Sequence, residues 1–236
     1  MRIALILSGG TGSRLGSDIP KQYIEVNGKP IIAYCMETLA SCVDAVFVVA
    51  SDEYKDLVVG IANSILGDKF KGIAKPGETR QLSIYNGLLE IHKLASDDDV
   101  VLIHDAARPN LSIAMVDSCF EAINGHDGVL PVLPMKDTVY LSEDGKTVSS
   151  LLDRKKVYAG QAPEAFVLGK YIDAIERLFP DEIYKINGST EPAIMAGLDV
   201  VMIPGEEGNY KITTKDDLQR FMGGRDYEGL GARKHK

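Results

Sequence analysis

The sequence predicts an α/β fold with a mostly parallel sheet and a protruding β-hairpin arm. Short, continuous apolar runs alternate along the chain with segments of helical period, and such runs are typical of parallel strands buried on both faces. Several runs end in glycine, aspartate or arginine, at the carboxyl edge where α/β sheets bind ligands. Residues 135–162 break this rhythm, because apolar and polar residues alternate there around the turn Ser142-Glu143-Asp144-Gly145.

The predicted elements follow one another in chain order. Strands are expected at 2–7, 45–50, 99–109, 128–134 and 198–204, and helices at 31–40, 54–66, 82–95, 113–123, 165–179, 192–196 and 215–224, with a frayed tail at 225–236. We expect one domain over residues 1–236, with the arm at about 136–160. A two-stranded ribbon is poorly stable alone, so the arm is expected to pack on a second copy of the chain.

Composition excludes several classes of function. The chain has 236 residues, is 45% hydrophobic and carries a formal charge of −8, which argues against general nucleic-acid or anionic-membrane binding. Its three cysteines, Cys35, Cys42 and Cys119, form no CxxC pair, so neither a disulfide framework nor a zinc site is expected. No leader pattern or membrane-length apolar run is visible, and a cytoplasmic protein is predicted.

The glycine-rich stretch SGGTGSR at residues 8–14 follows the first strand. Its glycines allow backbone N–H groups to face a ligand. The stretch lacks the third glycine of a dinucleotide fingerprint and the Gly-Lys-Ser/Thr of a Walker A loop. Arg14 and Lys21 add two cations of the kind that hold a triphosphate. A plain strand-to-helix turn would explain the glycines alone.

Two further polar clusters fall at predicted strand ends. Arg80 and Ser83 stand where a helix begins, and helix N-termini favour anions, although a capped helix start explains them equally well. Asp105 ends an apolar strand, where a carboxylate often meets a divalent metal beside phosphates. Arg108 offers an anion contact, or only a structural ion pair with Asp105. His104 is interpreted as a structural histidine.

Basic residues in three other loops complete the pattern. Lys136-Asp137-Thr138 and Arg154 belong to the arm, and Asn209-Tyr210-Lys211-Ile212-Thr213 follows the last strand. Each cation alone is weak evidence. Together they would surround one crevice of an acidic protein with five or six positive charges, which indicates a bound polyanion.

These motifs, in this order, resemble the cytidylyltransferases that activate phosphorylated polyols, namely 2-C-methyl-D-erythritol 4-phosphate or D-ribitol 5-phosphate. The matching pieces are GGTGSRLG with PKQY, GETRQLSIYNGL, HDAARP, KDT, LDR…GQAPEAF and NYKITTKDDL, spanning residues 3 to about 218. The resemblance implies a Rossmann-like nucleotidyltransferase fold in three layers, an arm-exchanged homodimer and Mg²⁺. It implies transfer of a cytidylyl group from CTP to a polyol phosphate, with release of pyrophosphate.

The resemblance also implies roles for individual residues. Arg14, Lys21 and Lys211 would be catalytic, and Asp105 would lie near the ribose and the metal. Arg108, Thr138 and the arm's Arg154, reaching into the partner's site, would contact the polyol phosphate. The CTP-binding residues would be Ser8, Gly9, Gly10, Thr11, Gly12, Gly77, Arg80 and Ser83.

Two departures from the family pattern leave the acceptor open. Gln161-Ala162-Pro163-Glu164 stands where Gln-Thr-Pro-Gln is common, and Gly188-Ser189-Thr190-Glu191-Pro192 replaces a Thr-Asp-Asp/Glu segment. Alternatives are a catalytically inactive nucleotide-binding regulatory protein of the same fold, or a cytidylyltransferase for another phosphorylated acceptor in surface-glycan synthesis. A nicotinamide dehydrogenase is disfavoured by the missing third glycine.

Overall fold

An eight-stranded mixed sheet forms the centre of the computed structural model, which describes residues 1–10 and 19–223. Two small two-stranded sheets accompany it in these ranges. The strands are β1 (Arg2–Leu7), β2 (Glu25–Val26), β3 (Lys29–Pro30), β4 (Ala45–Val49), β5 (Phe70–Ala74), β6 (Val100–Asp105), β7 (Gly128–Pro134), β8 (Val139–Leu141), β9 (Ser150–Leu152), β10 (Tyr158–Gly160), β11 (Glu164–Val167) and β12 (Val200–Pro204). The helices are α1 (Ile31–Cys42), α2 (Lys55–Leu66), α3 (Arg80–His92), α4 (Ile113–Ala122), α5 (Leu168–Glu176), α6 (Glu191–Met195) and α7 (Lys215–Phe221).

The parallel part of the sheet has the order β6-β1-β4-β5. Its four strands therefore end at one edge, each followed by a loop. Antiparallel β11 separates β6 from β7. Strand β7 pairs with β11 and β10 along one side and with parallel β12 along the other. The predicted α/β class with a mostly parallel core is confirmed.

Helices cover both faces of this sheet in three layers, as expected. One core packs α1, α2 and α4 against the first face. The other packs α3 and α5 against the second face. Cys35 and Cys42 are both buried on α1, as their seven-residue spacing predicts. The alternating faces of β1 and β6 contribute to both cores, which explains why residues 3–7 and 100–103 are all apolar.

The predicted arm contains the hairpin β8–β9, with Val139 opposite Leu152. Asp144 organises its turn by accepting hydrogen bonds from the backbone N–H groups of Lys146 and Thr147, both at 2.8 Å. The hairpin is shorter than the predicted range, because β10 returns to the main sheet beside β7.

Several boundaries differ from the sequence prediction. Strand β5 was not predicted, since FKGIA contains a lysine and a glycine instead of an apolar run. The prediction of a helix starting at residue 165 was wrong, because residues 164–167 form β11 and α5 begins at Leu168. The strand predicted at 99–109 was too long, because β6 ends at Asp105 and the backbone N–H of Arg108 turns back to the Asp105 carbonyl. The small sheet β2–β3 was also missed. The predicted tail at 225–236 lies outside the described residues.

Candidate active site

A cleft of about 630 Å³ opens where β1, β4, β5 and β6 end. Loops after these strands form its walls, as expected for the carboxyl edge of a parallel sheet. Two lysines from distant parts of the sequence, Lys21 and Lys211, line the same cleft. Other lining residues named in the sequence prediction are Gly9, Gly10, Gly77, Arg80, Ser83 and Asp105.

The loop after β1 is held from behind by Gln22. Its Nε2 donates to the carbonyl oxygens of Ser8 at 2.7 Å and Gly10 at 2.8 Å. The buried Ser8 hydroxyl donates to the Tyr23 hydroxyl at 2.9 Å, so this side chain faces Tyr23. At Gly9 the backbone passes close to the next loop, and an added Cβ would lie 2.7 Å from Cβ of Pro76. The predicted residues Thr11, Gly12 and Arg14 lie outside the described residues.

The loop after β5 leads into a capped helix. The Thr79 hydroxyl accepts from the backbone N–H of Leu82 at 3.2 Å, which caps α3. The Ser83 hydroxyl accepts from the backbone N–H of Gly77 at 3.0 Å and donates to the Thr79 carbonyl at 2.9 Å. A Cβ at Gly77 would lie 2.4 Å from Cβ of Leu82. This turn is therefore tightly closed, and Arg80 stands at its exit as the first residue of α3.

Asp105 lies at the centre of a charge cluster. Its Oδ1 accepts from Nη2 of Arg80 at 3.2 Å, and its Oδ2 lies 3.0 Å from Nζ of Lys211 and 3.5 Å from Nε of Arg108. Burial alone would raise the pKa of Asp105, but these three cations outweigh it and hold the pKa well below its usual range. The carboxylate is therefore ionised at every physiological pH.

Lys211 is carried to Asp105 by a segment anchored at several points. The backbone N–H of Ile212 donates to the Ala107 carbonyl at 2.8 Å. Nη1 of Arg108 donates to the Asn209 carbonyl at 2.7 Å, and Nδ2 of the buried Asn209 donates to the Ala162 carbonyl at 2.7 Å. The side chain of Arg108, which was predicted to contact the polyol phosphate, thus interacts with Asp105 and with the Asn209 carbonyl in this segment.

Lys21 lines the same cleft, in a 3₁₀ turn that begins after Pro20. The positive charge of Lys21 helps to lower the pKa of Asp217, whose side chain belongs to the capping box of α7, directly after the Lys211 segment. Burial would raise the pKa of Asp217, but the backbone N–H groups of Thr214 and Thr213, together with Lys21, lower it. The segments that carry the two lysines are therefore neighbours.

The two arm residues lie elsewhere on the surface. Thr138 and Arg154 are both exposed, and Nη1 of Arg154 donates to the Lys136 carbonyl at 2.7 Å. Neither residue lines the cleft of its own chain. Their predicted contact with the acceptor accordingly depends on a second copy.

His104 is buried, as a structural histidine should be. Its Nε2 lies 3.0 Å from the Arg108 carbonyl oxygen, whereas Nδ1 has no hydrogen-bond partner among the described residues. Burial is the main reason that the pKa of His104 falls to about 4. The ring is thus neutral at physiological pH and supports the turn after β6.

Sequence reasoning missed the roles of three amide side chains that hold backbone in or near the cleft, of which Gln22 itself lines the cleft. Gln22 and Asn209 stood inside quoted motifs, PKQY and NYKITT, yet nothing local indicated that their amides hold distant carbonyls. Gln161 is a third case, since its Oε1 accepts from the backbone N–H of Glu206 at 3.0 Å and its Nε2 donates to the carbonyl of Glu206 at 3.0 Å.

Comparison with known proteins identifies the family. The family model described as IspD, 2-C-methyl-D-erythritol 4-phosphate cytidylyltransferase, matches residues 2–221. The chain belongs to the IspD family. It is therefore a cytidylyltransferase, one kind of nucleotidyltransferase. The alternative of a catalytically inactive regulatory protein gains no support from these matches.

Relatives of this IspD-family chain carry two different names. A ribitol-5-phosphate cytidylyltransferase from Streptococcus agalactiae serotype Ia is 32% identical over 228 residues, covering 94% of each chain. A 2-C-methyl-D-erythritol 4-phosphate cytidylyltransferase from Rubrobacter xylanophilus is 35% identical over 227 residues, covering 92% of this chain and 91% of the relative. The resemblance to the polyol-phosphate cytidylyltransferases is thus confirmed.

Solved structures agree with the family assignment. The 4-diphosphocytidyl-2C-methyl-D-erythritol synthase of Anaerococcus prevotii superposes with a TM-score of 0.80, at 25% identity and 94% coverage of both chains. The 2-C-methyl-D-erythritol 4-phosphate cytidylyltransferase of Francisella tularensis gives a TM-score of 0.77, at 27% identity, covering 93% of this chain and 97% of that one. Within the ranges 1–10 and 19–223, no helix has both the length and the apolar character needed to span a membrane.

Proposed function

We propose that this chain transfers the cytidylyl group of CTP to a polyol phosphate, giving a CDP-polyol and pyrophosphate. An oxygen of the acceptor phosphate bonds to the α-phosphorus of CTP, and the bond from that phosphorus to the bridging oxygen breaks. Pyrophosphate leaves with the electron pair. The observation that carries the proposal is that Lys21 and Lys211 line one cleft, in which Arg80 and Lys211 also pair with Asp105.

The physical demand of this reaction is charge neutralisation. Two phosphorylated molecules repel one another strongly in a cleft of low dielectric, and negative charge accumulates on the transferring phosphorus. Fixed cations stabilise that charge where it develops. We assign Lys21 and Lys211 to this task, together with Arg14. The acceptor phosphate is itself the nucleophile, so the protein supplies alignment of the reactants instead of a nucleophile of its own.

We assign the nucleotide to the loops after β1 and β5. The backbone of Gly9 and Gly10, with Ser8 behind it and Thr11 and Gly12 following, would hold the phosphates. Gly77, Arg80 and Ser83 would form the cytidine pocket. Ser83 would act chiefly through the turn, because its hydroxyl already bonds to Gly77 and Thr79.

Asp105 fits a magnesium ion in the manner usual for phosphate-binding enzymes. Mg²⁺ is commonly held by one or two carboxylates plus substrate phosphates, and the described residues contain no cluster of three or more His, Cys, Asp or Glu side chains that would hold a metal alone. The ionised Asp105 at the cleft is the donor suited to this mode. Bound there, the ion would offset phosphate charge.

The acceptor is proposed as a class, a polyol phosphate of the D-ribitol 5-phosphate or 2-C-methyl-D-erythritol 4-phosphate type. Relatives named for each acceptor match this chain over almost its whole length. Arg108, Thr138 and Arg154 are the proposed acceptor contacts. The departures at Ala162, Glu164 and residues 188–192 fall outside the proposed nucleotide loops, so we assign them no direct contact with the nucleotide.

We further propose a homodimer built through the arm. The hairpin exposes Tyr140, Leu141 and Leu151, with 58%, 44% and 65% of their surfaces accessible, and a patch of this kind favours a protein partner. Thr138 and Arg154 would then serve the site of the other subunit. A monomeric mass at micromolar concentration would contradict this. A cytoplasmic location remains a prediction from cysteine usage.

Pyrophosphate release tests the proposed function directly. The protein is incubated with CTP, UTP, ATP or GTP and each acceptor in turn, and release is expected only with CTP plus a polyol phosphate, with EDTA abolishing it. Lys21→Ala and Lys211→Ala should each lower turnover by orders of magnitude while the fold is kept. Lys71→Ala, an exposed lysine on β5, is the control. Near-normal turnover in either site variant would remove that lysine from the mechanism.

A further inference from the structure

Glu164 is a buried carboxylate that the proposed reaction does not use. It lies on β11 with 8% of its surface exposed. Oε1 accepts from the Ser189 hydroxyl at 2.5 Å, whereas Oε2 has no hydrogen-bond partner among the described residues. A buried charge in this condition is costly unless an opposite charge offsets it. A nearby cation is therefore needed to explain why a carboxylate is kept here.

The strand register places Glu164 beside the charge cluster of the cleft. Glu164 is paired directly with Ile103 of β6, and Asp105 lies two residues further along the same strand. Side chains at these positions point to the same face of the sheet. Diagonal neighbours of this kind lie about 7–8 Å apart. The face they share is the one covered by α3 and α5, and α3 begins with Arg80.

Arg80 is a cation in the first turn of a helix, and its ion-pair partner Asp105 is shared with other cations. The first turn of a helix disfavours cations, because the helix dipole is positive there. Asp105 is also shared with Lys211 and Arg108. Burial lowers the pKa of Arg80, but Asp105 and then Glu164 outweigh it and raise the pKa overall. Burial raises the pKa of Glu164 itself, and the Arg80 guanidinium is the largest influence that opposes this rise.

A chain of buried hydrogen bonds fixes the Glu164 carboxylate. Nε2 of Gln81 donates to the Tyr171 hydroxyl at 3.2 Å, which donates to the Ser189 carbonyl at 2.5 Å. Ser189 in turn donates to Glu164. All four side chains are buried. Gln81 follows Arg80 directly on α3, so the same network ties the carboxylate to the helix that carries the guanidinium.

We propose that Glu164 is a positioning residue for the nucleotide: its carboxylate, ionised beside the Arg80 guanidinium, keeps that guanidinium in place when Asp105 is engaged by the bound ligand. Glu164 itself touches no substrate and acts through Arg80. The inference rests on the proposed function, since it takes the cleft to be the CTP site.

A double-mutant cycle with CTP binding as the readout tests this inference. Isothermal titration with CTP in the presence of magnesium is performed on the wild type, Glu164→Gln, Arg80→Ala and the double variant. Glu164→Gln keeps the shape and the oxygen that accepts from Ser189 but removes the charge. We expect it to weaken CTP binding by about fivefold or more, within the range of coupling between neighbouring charged residues. In the Arg80→Ala background the same change should cause no further weakening.

Controls separate positioning from a merely structural role. Glu176→Gln removes a surface carboxylate that bonds to Tyr85 on the same side of the sheet, and it should bind CTP like the wild type. Unchanged affinity in Glu164→Gln, or equal loss in both backgrounds, would overturn the inference. If Glu164→Gln does not fold, Ser189→Ala is taken through the same cycle with the same criteria. Failure of the wild type to bind CTP would instead overturn the proposed function.

Discussion

Replacing Gln22 by alanine tests whether the loop after β1 is shaped from behind. The side chain is buried, and its Nε2 donates two hydrogen bonds, at 2.7 and 2.8 Å, to the Ser8 and Gly10 carbonyls. The Ser8 carbonyl also accepts from the Tyr23 hydroxyl at 3.1 Å, so it keeps a partner in the variant. The Gly10 carbonyl is near the surface and can be hydrated. The cost is therefore the net value of two hydrogen bonds, about 1–3 kcal/mol.

Urea unfolding and the KM for CTP are measured on the same preparations. We expect the free energy of unfolding to fall by the amount above and the KM for CTP to rise several-fold, because Gly9 and Gly10 line the cleft. Gln22→Glu, of equal size, brings a carboxylate against the two carbonyl oxygens and should do at least as much harm. Stability within about 0.5 kcal/mol of wild type, the usual range of surface substitutions, would refute the reasoning. So would an unchanged KM in a destabilised variant.

Three further outcomes follow from other parts of the fold. Gly77→Ala should lower the free energy of unfolding by about 1–3 kcal/mol through overpacking against Leu82, whereas Gly60→Ala on α2, where a Cβ meets nothing within 4 Å, should be neutral or stabilising; equal effects in urea unfolding would contradict this. Burial lowers the pKa of His104 from 6.5 to about 4, so between these values the unfolded chain binds a proton that the folded chain does not. Stability should therefore fall by about 3 kcal/mol as pH decreases across that window, and the slope should flatten in His104→Gln. In a Cys42→Ser variant the remaining Cys35 and Cys119 thiols, whose pKa values burial raises to about 12, should react with a thiol reagent at pH 8 only after unfolding. Rapid labelling of the folded protein would contradict their burial.

Much of the fold was visible in the sequence because parallel strands buried on both faces must be apolar throughout. Strand β4 meets this condition, and β1 and β6 meet it except for Arg2 at the start of β1 and His104 and Asp105 at the end of β6. Strand β5 does not, since it lies at the end of the sheet order and is only partly buried. Strand β11 was predicted as the start of a helix for a different reason. The run AFVL passes from strand to helix without a glycine, proline or capping residue, so periodicity could not separate β11 from α5.

The site was predictable where one residue type in one loop carries the chemistry. Gly9, Gly77, Asp105 and Lys211 were named from local motifs, and they line one cleft. What each polar side chain does there was less predictable. Ser8 turns to Tyr23, and Ser83 closes the turn before α3.

The hydrogen-bond and ion-pair partners of a polar side chain depend on the tertiary structure, and a local sequence pattern does not reveal them. Asp105 and Lys211 illustrate this, being 106 positions apart in the sequence and 3.0 Å apart in the fold. The charge shared among Asp105, Glu164 and Arg80 likewise appears only once β11 is inserted beside β6.

The backbone bond from Ile212 to Ala107 has a consequence for biosynthesis. Apart from Lys211, the described residues that line the cleft all lie between Leu7 and Ala107. They therefore leave the ribosome long before Lys211 does. A nascent chain can therefore contain all of β1, β4, β5 and β6 while it still lacks Lys211, one of the two lysines that line the cleft. With the role proposed for Lys211, the chain becomes able to react only near the end of translation. A chain truncated before this residue would contain most of the strands of the sheet but would not turn over CTP.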